Sequence, residues 1–87
     1  MKSQTSDVFW KHYRTLPLDV RRRAREAYKL WSKNPRQPSL FFKRVREDRP
    51  LYSVRIGLAY RALGILEDDT ITWVWIGHHS EYDRLVK

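Results

Sequence analysis

Cysteine is absent from the 87 residues, so neither a disulfide framework nor a zinc–thiolate site can hold this chain together, and side-chain packing has to do so alone. Length excludes a multidomain enzyme. A chain of this size has room for one domain, residues 1–87, and one modest core, since it buries only somewhat more than half of the surface exposed on unfolding. No apolar run approaches the roughly 20 residues that span a bilayer, and the opening MKSQTSDVFW lacks the charged-then-apolar order of a secretory signal. A soluble cytoplasmic protein with no membrane partner is expected. Acidic side chains are scarce through most of the chain: residues 1–61 carry 16 basic and only 5 acidic ones.

What is present follows from that imbalance. In total, 18 Lys and Arg face 10 Asp and Glu, a formal net charge of +8, and the last 26 residues reverse the trend with 2 basic and 5 acidic side chains. A basic body of this kind suits a polyanionic partner, nucleic acid or an acidic protein. The plain alternative is a cationic surface that serves solubility. Arginine outnumbers lysine about two to one, which favours forked contacts to phosphate or carboxylate over diffuse attraction. Four Trp, five Tyr and three Phe supply the means for a core.

Helical spacing appears first. Val8, Phe9, Tyr13 and Leu16 suggest a short helix over 7–15, and Pro17 restarts the chain, with Asp19 placed where the helix dipole favours negative charge. Val20, Ala24, Ala27, Tyr28 and Trp31 then form an apolar stripe, while Arg21, Arg22, Arg23, Arg25, Lys29 and Lys33 fill the other face. Asn34 and Pro35 end this second helix. Beyond NPRQPS the period changes to two. Strands fit 40–46, 51–57, 59–66 and 70–77, joined by turns short enough for hairpins, so the expected sheet is a four-stranded antiparallel meander.

With turns centred between Asp48 and Arg49, on Leu58 and between Asp68 and Asp69, two faces separate. One carries Phe41, Val45, Tyr52, Val54, Ile56, Tyr60, Ala62, Leu66, Ile71, Trp73 and Trp75, with Lys43 discordant, and is expected under the helices. The other carries Arg44, Arg46, Ser53, Arg55, Arg61 and His78 among Leu40, Phe42, Leu63, Ile65, Val74 and Ile76. Arg55 falls directly across from Arg61. Like charges so placed destabilise a sheet unless an anion lies between them. No Asp or Glu shares that face within the strands, so a ligand phosphate or a partner's carboxylate is the better candidate. Leu85 and Val86 could fold back over part of the apolar patch.

The stretch LYSVRIGLAYRALGILEDDTITWVWIGHHSEYDRL, preceded by LPLDVRRRAREAYKLW and PSLFFKRV, resembles the RelE/ParE superfamily of toxins from bacterial toxin–antitoxin pairs. The shared pattern is a strand ending in a basic residue, a tyrosine–arginine pair, an apolar strand running into glycine and histidine, and a later tyrosine. Here those are Arg55, Tyr60 with Arg61, Gly77 with His78 and His79, and Tyr82. The likeness runs from about Val8 onward and leaves little room before Asp7 for the family's usual first strand.

The resemblance implies an α+β fold with two N-terminal helices on one face of the sheet, an acidic-to-amphipathic antitoxin, and contact with operator DNA only through that antitoxin. It also implies one of two activities. RelE-like members cut messenger RNA on the ribosome, the 2′-hydroxyl attacking the neighbouring phosphate; ParE-like members inhibit DNA gyrase without a nuclease site. In the cutting branch Arg61 would stabilise transition-state charge, Arg55 would serve the same site, and His78 or His79 with Tyr82 would move protons. Face parity favours His78, family position favours His79. Lys43, Arg44 and Arg46, and Arg22 and Arg25 of the RRRAR run, are the candidate RNA-binding residues, the helix run reading equally as a solvated face. The chain departs from the cutters in having Ser53 where a second basic residue is common, and in a short HHSEY interval.

The C-terminal cluster also has plainer readings. Neighbouring histidines on an extended strand point apart, and His78, His79, Glu81 and Asp83 match no ligand spacing, so no metal and no cofactor is expected. Tyr82 could simply anchor the tail. Trp73 and Trp75, two apart, read as core rather than a base-stacking platform.

Overall fold

A computed structural model describes residues 1–87. Lys2–Thr5, too polar to announce itself, forms a strand, β1, parallel to β5 (Thr70–His78), with Lys2 opposite Thr70 and Thr5 opposite Trp73. An edge strand buries little, which is why alternation does not reveal it; its ties are the ladder, a 2.8 Å bond from Gln4 Nε2 to Thr72 Oγ1, a 2.6 Å bond between the Ser3 and Tyr28 hydroxyls, and a 2.9 Å bond from Trp10 Nε1 to Thr5 Oγ1. Ser6 then turns the chain into α1 (Asp7–Arg14). Its hydroxyl oxygen accepts from the Phe9 N–H, and its own N–H and O–H both donate to the Trp73 carbonyl, so the helix start is fastened to β5.

Helix α2 (Leu18–Lys33) buries Val20, Ala24 and Trp31 and leaves most of its cationic side chains in water. Asn34 ends it, and a single 3₁₀ turn, Pro38–Leu40, buries Leu40. The remaining strands are β2 (Lys43–Arg44), β3 (Leu51–Ile56) and β4 (Tyr60–Glu67), giving the sheet order β1-β5-β4-β3-β2. A third helix, α3 (His79–Leu85), follows β5 and packs back on β4 and β5. The sheet is therefore five-stranded and mixed rather than a four-stranded antiparallel meander, and three helices replace the expected two.

Two irregularities shift the expected faces. At β2 the pairing is Lys43 with Ser53 and Arg44 with Tyr52, one residue from the expected register. A one-residue slip exchanges the faces of a strand. Phe42, not Phe41, therefore packs on the core, its ring 5.8 Å from Trp31 and 5.1 Å from Tyr52, and Lys43 ceases to be discordant because it joins the arginine face. The β4–β5 hairpin turns through Asp68 and Asp69, both at positive φ (49° and 64°), as a two-residue hairpin turn demands. Its first pairs keep the expected register, but a bulge between Leu63 and Gly64 advances β5 by one residue.

Beyond that bulge Ile76 enters the core opposite Ala62, while Trp75 moves to the other face, opposite Leu63. Trp75 is still buried, but apart from the cluster of Phe9, Val20, Trp31, Ile71, Trp73 and Ile76 that joins the helices to the sheet. Gly64 and Gly77 make room for these indoles. A Cβ on residue 64 would stand 2.9 Å from Trp73 Cε3 and 2.7 Å from Ile71 Cγ1; one on residue 77 would stand 2.5 Å from Trp75 Cζ2. No helix is long and apolar enough to cross a membrane.

Candidate functional site

The β3–β4 register brings Arg55 and Arg61 together as direct cross-strand partners. The tight turn after Ile56, with Gly57 at φ 61°, offers carbonyls to both guanidinium groups. Arg55 Nε donates to Gly57 O at 3.0 Å, and Arg61 Nη1 donates to Tyr60 O at 2.8 Å and to Leu58 O at 3.5 Å. Each guanidinium also rests against an aromatic ring. Arg55 Cζ lies 5.0 Å from the Phe41 centroid, and Arg61 Cζ 6.0 Å from that of Tyr82, distances at which the ring face attracts a cation.

These contacts occupy one nitrogen of each arginine, leaving Nη1 and Nη2 of Arg55 and Nε and Nη2 of Arg61 without a protein acceptor. No carboxylate pairs with either; the ion pairs of this chain are Arg46–Asp48 at 2.9 Å and the 3.9 Å contact of His79 with Asp83. Directly opposed like charges destabilise a sheet. The pair thus presents uncompensated charge and unspent donors on a fixed backbone, the arrangement that holds a phosphate.

Around them lies a hollow of about 190 Å³ lined by Phe41, Lys43, Ser53, Arg55, Arg61 and Tyr82. Tyr82 is delivered by α3. Its hydroxyl lies 3.2 Å from Ser53 Oγ, to which it donates, and Ser53 is buried at 3% exposure. Lys43 reaches the hollow because the β2 register pairs it with Ser53. Neither Phe41 nor Ser53 is among the site residues expected from the sequence; for Ser53 the signal is there, since it shares the face of Arg55.

The other candidates lie elsewhere. After the bulge His78 is opposite Tyr60, ring centroids 5.5 Å apart, and Gly77 takes the place opposite Arg61. His78 caps α3, its Nδ1 accepting from the Ser80 N–H at 3.2 Å. His79 stacks on it at 4.4 Å and faces Asp83 one turn on. Neither histidine lines the hollow. Arg44 points its donors at the carbonyls of Arg46 and Glu47, and Arg46 forks onto both oxygens of Asp48 and reaches the Lys87 carbonyl. That fork holds the Asp48 carboxyl below the usual carboxylate range, chiefly through its hydrogen bonds and further through its charge. Arg22 and Arg25 are exposed on α2, in the layer on the other face of the sheet.

A larger, apolar groove of about 730 Å³ runs between β1, α1 and α2, floored by Trp31, Val54, Ala62 and Trp73 and edged by Arg25 and Lys29. It is larger than the hollow, but its hydroxyl and cationic groups, those of Ser3, Thr5, Tyr13 and Tyr28 with Arg25 and Lys29, sit in a mostly hydrophobic lining and bring no two guanidinium groups together. The chemistry therefore sits at the arginine pair.

Against known proteins, the profile of the ParE-like toxin domain matches residues 18–84. No curated protein matches the sequence. Among solved structures, the RelB–RelE antitoxin–toxin complex of Methanococcus jannaschii contains a similar chain, with TM-score 0.74 and 22% identity over 93% of this chain and 96% of that one. A chain of the intact RelBE toxin–antitoxin complex of E. coli gives TM-score 0.65 and 16% identity over 88% and 94%. The YoeB/ParE toxin of Agrobacterium tumefaciens gives 0.70 and 13% over 91% and 99%. At these identities the structures speak for the fold.

Proposed function

This chain belongs to the family of ParE-like toxin domains, and we propose that it is the toxin of a toxin–antitoxin pair and acts by cutting RNA, on ribosome-bound messenger RNA. The observation that carries this reading is the cross-strand pair Arg55–Arg61, uncompensated by any carboxylate and sharing one hollow with Lys43 and Tyr82. In the proposed reaction the 2′-oxygen attacks the adjacent phosphorus, the bond from phosphorus to the 5′-oxygen breaks, and the products are a 2′,3′-cyclic phosphate and a free 5′-hydroxyl. Charge builds on the non-bridging oxygens in the transition state. Permanently charged guanidinium forks, already held by backbone carbonyls and aromatic rings, stabilise it without reorganising.

Proton transfer falls to Tyr82. Its hydroxyl both donates and accepts, lines the hollow and is oriented by Ser53. His78 and His79 act in this reading as positioning residues, since they begin the helix that carries Tyr82. Lys43 binds the RNA backbone, whereas Arg44 and Arg46 have their donors engaged within the chain.

An antitoxin partner suits the same molecule, as the similar chains of the M. jannaschii and E. coli structures are solved with theirs. The apolar groove edged by Arg25 and Lys29 fits an acidic amphipathic segment. Through such a partner the chain would meet operator DNA.

The second reading is gyrase inhibition without cleavage, and the observation favouring it is that no histidine lines the hollow. Purified protein incubated with ribosomes and a defined messenger, followed by primer extension, separates the two. New 5′ ends that vanish with Arg61→Gln support the nuclease. Loss of gyrase supercoiling with intact RNA would replace it.

A further inference from the structure

We infer that Phe41 is a nucleobase-stacking residue, so that the hollow binds a nucleotide unit rather than phosphate alone: phosphate on Arg55 and Arg61, the neighbouring base on the Phe41 ring. This rests on the reading of the arginine pair as a phosphate site and adds a recognition element to it.

Three observations on one residue carry the inference. Phe41 has φ 46° and ψ 42°, the left-handed region, at the end of the Pro38–Leu40 turn. For a bulky side chain that conformation is a true outlier, and at such a turn end glycine or asparagine adopts it at least cost. Second, the ring does not repay the strain by burial. The residue is 56% exposed, while its neighbour Phe42 takes the core position. Third, the strained backbone points the ring at the hollow, where it lies 5.0 Å from the Arg55 guanidinium. Strain held at a ligand-facing position is the pattern of a built site.

A planar apolar ring beside a phosphate-binding fork has the chemistry of single-stranded nucleic-acid recognition. Every base offers a π-face, and stacking is tolerant of sequence. The spacing also fits, since the guanidinium that would hold the phosphate is the one in contact with the ring, placing base and phosphate of one unit within a side chain's reach. An apolar side chain of a protein partner could also rest on the ring. The adjoining free donors of Arg55 and Arg61 favour the nucleotide, which brings its own anion.

The test uses the intact chain with two probes: a fluorescein-labelled single-stranded RNA dodecamer followed by anisotropy, and inorganic tripolyphosphate followed by calorimetry. Phe41→Gly relieves the left-handed backbone and so folds at least as well as the parent. It should weaken RNA binding by roughly 5- to 150-fold, the range for losing one stacked base, and lower tripolyphosphate affinity by only about two- to fivefold, the loss of the ring contact that steadies Arg55. Phe41→Trp should restore RNA binding. Phe41→Leu, apolar but not aromatic, should bind RNA as poorly as the glycine variant. RNA affinity indifferent to residue 41, or a leucine variant equal to the parent, overturns the inference while leaving the phosphate site standing. If the parent chain binds neither probe, the phosphate reading falls and this inference with it.

Discussion

Arg55 and Arg61 stand directly across from one another on β3 and β4 with no carboxylate between them. A sheet selected only for stability would not keep this pair. Arg55→Gln or Arg61→Gln, each preserving most of the stem, removes the like-charge repulsion together with that guanidinium's carbonyl bond and ring contact. These effects oppose one another, so the fold should stay intact with stability within about 1 kcal/mol of the parent. Thermal unfolding should move by no more than roughly 4–8 °C, the shift for 1 kcal/mol in a chain of this length. RNA cleavage should fall about 100- to 1000-fold, as when one transition-state donor is removed. Both arms are needed: a variant that loses stability along with activity would make the arginines structural.

Tyr82 offers a finer division. Tyr82→Phe keeps the ring beside Arg61 but removes the hydroxyl, and with it the bond to buried Ser53. Leaving that serine without its partner should cost about 1 kcal/mol, and the proposed proton transfer should slow by about 100-fold or more. His79→Ala removes no group from the hollow, and should lower cleavage far less than Tyr82→Phe in the same primer-extension assay. The reverse order would transfer the proton role to the histidine.

How much of this was legible beforehand depends on where register could slip. The Arg55–Arg61 pairing could be read from the sequence because the β3–β4 turn is short and both strands alternate cleanly about Leu58. The assignments that failed lie past points where the ladder gains or loses a residue. The bulge at Leu63/Gly64 sends Trp75 and Ile76 to faces opposite to those their spacing predicts, and moves His78 away from Arg61. Glycine at 64 hints at such a place, but the extra residue, Val74, lies on β5, and the need for glycine opposite Trp73 comes from the crowding of Ile71 and Trp73, which only packing reveals. Phe41 and Phe42 exchange roles through the left-handed residue itself. β1 leaves no pattern in the sequence because an edge strand of Lys, Ser, Gln and Thr has no buried side to betray it, and α3 leaves little because a seven-residue helix on the rim shows too little periodicity.

Acid should loosen the β2–β3 turn before it touches the core. The fork from Arg46 holds Asp48 below the usual carboxylate range, so the folded form keeps the carboxylate ionised where the unfolded chain has begun to protonate. A depressed folded value means the contribution is fully present above the ordinary carboxylate pKa and is lost as pH falls through the folded value. Asp48 is exposed and Arg46 half-buried at the surface, so the effect is local. An NMR titration should place the Asp48 midpoint below the ordinary carboxylate range, and Arg46→Ala should bring it back towards that range. A midpoint unmoved by that substitution would remove the fork as its cause.

Gly64 tests how closely β4 packs beneath the core. The β4 backbone at this position runs beneath Ile71 and Trp73, and a methyl there would fall 2.7–2.9 Å from their side-chain carbons. Neither neighbour can retreat, because Ile71 is fully buried and Trp73 is 5% exposed. Gly64→Ala should accordingly destabilise the chain by about 1–3 kcal/mol through overpacking, even though alanine is no worse than glycine in a strand with room for it. Chemical denaturation should show a lower midpoint with an unchanged slope. Pairing the substitution with Ile71→Val, which removes Cδ1 at 2.8 Å while Cγ1 at 2.7 Å stays, should recover a small part of the loss. Two costs that simply add would mean the methyl and Ile71 do not collide, and the glycine's place under the bulge would then need a backbone explanation.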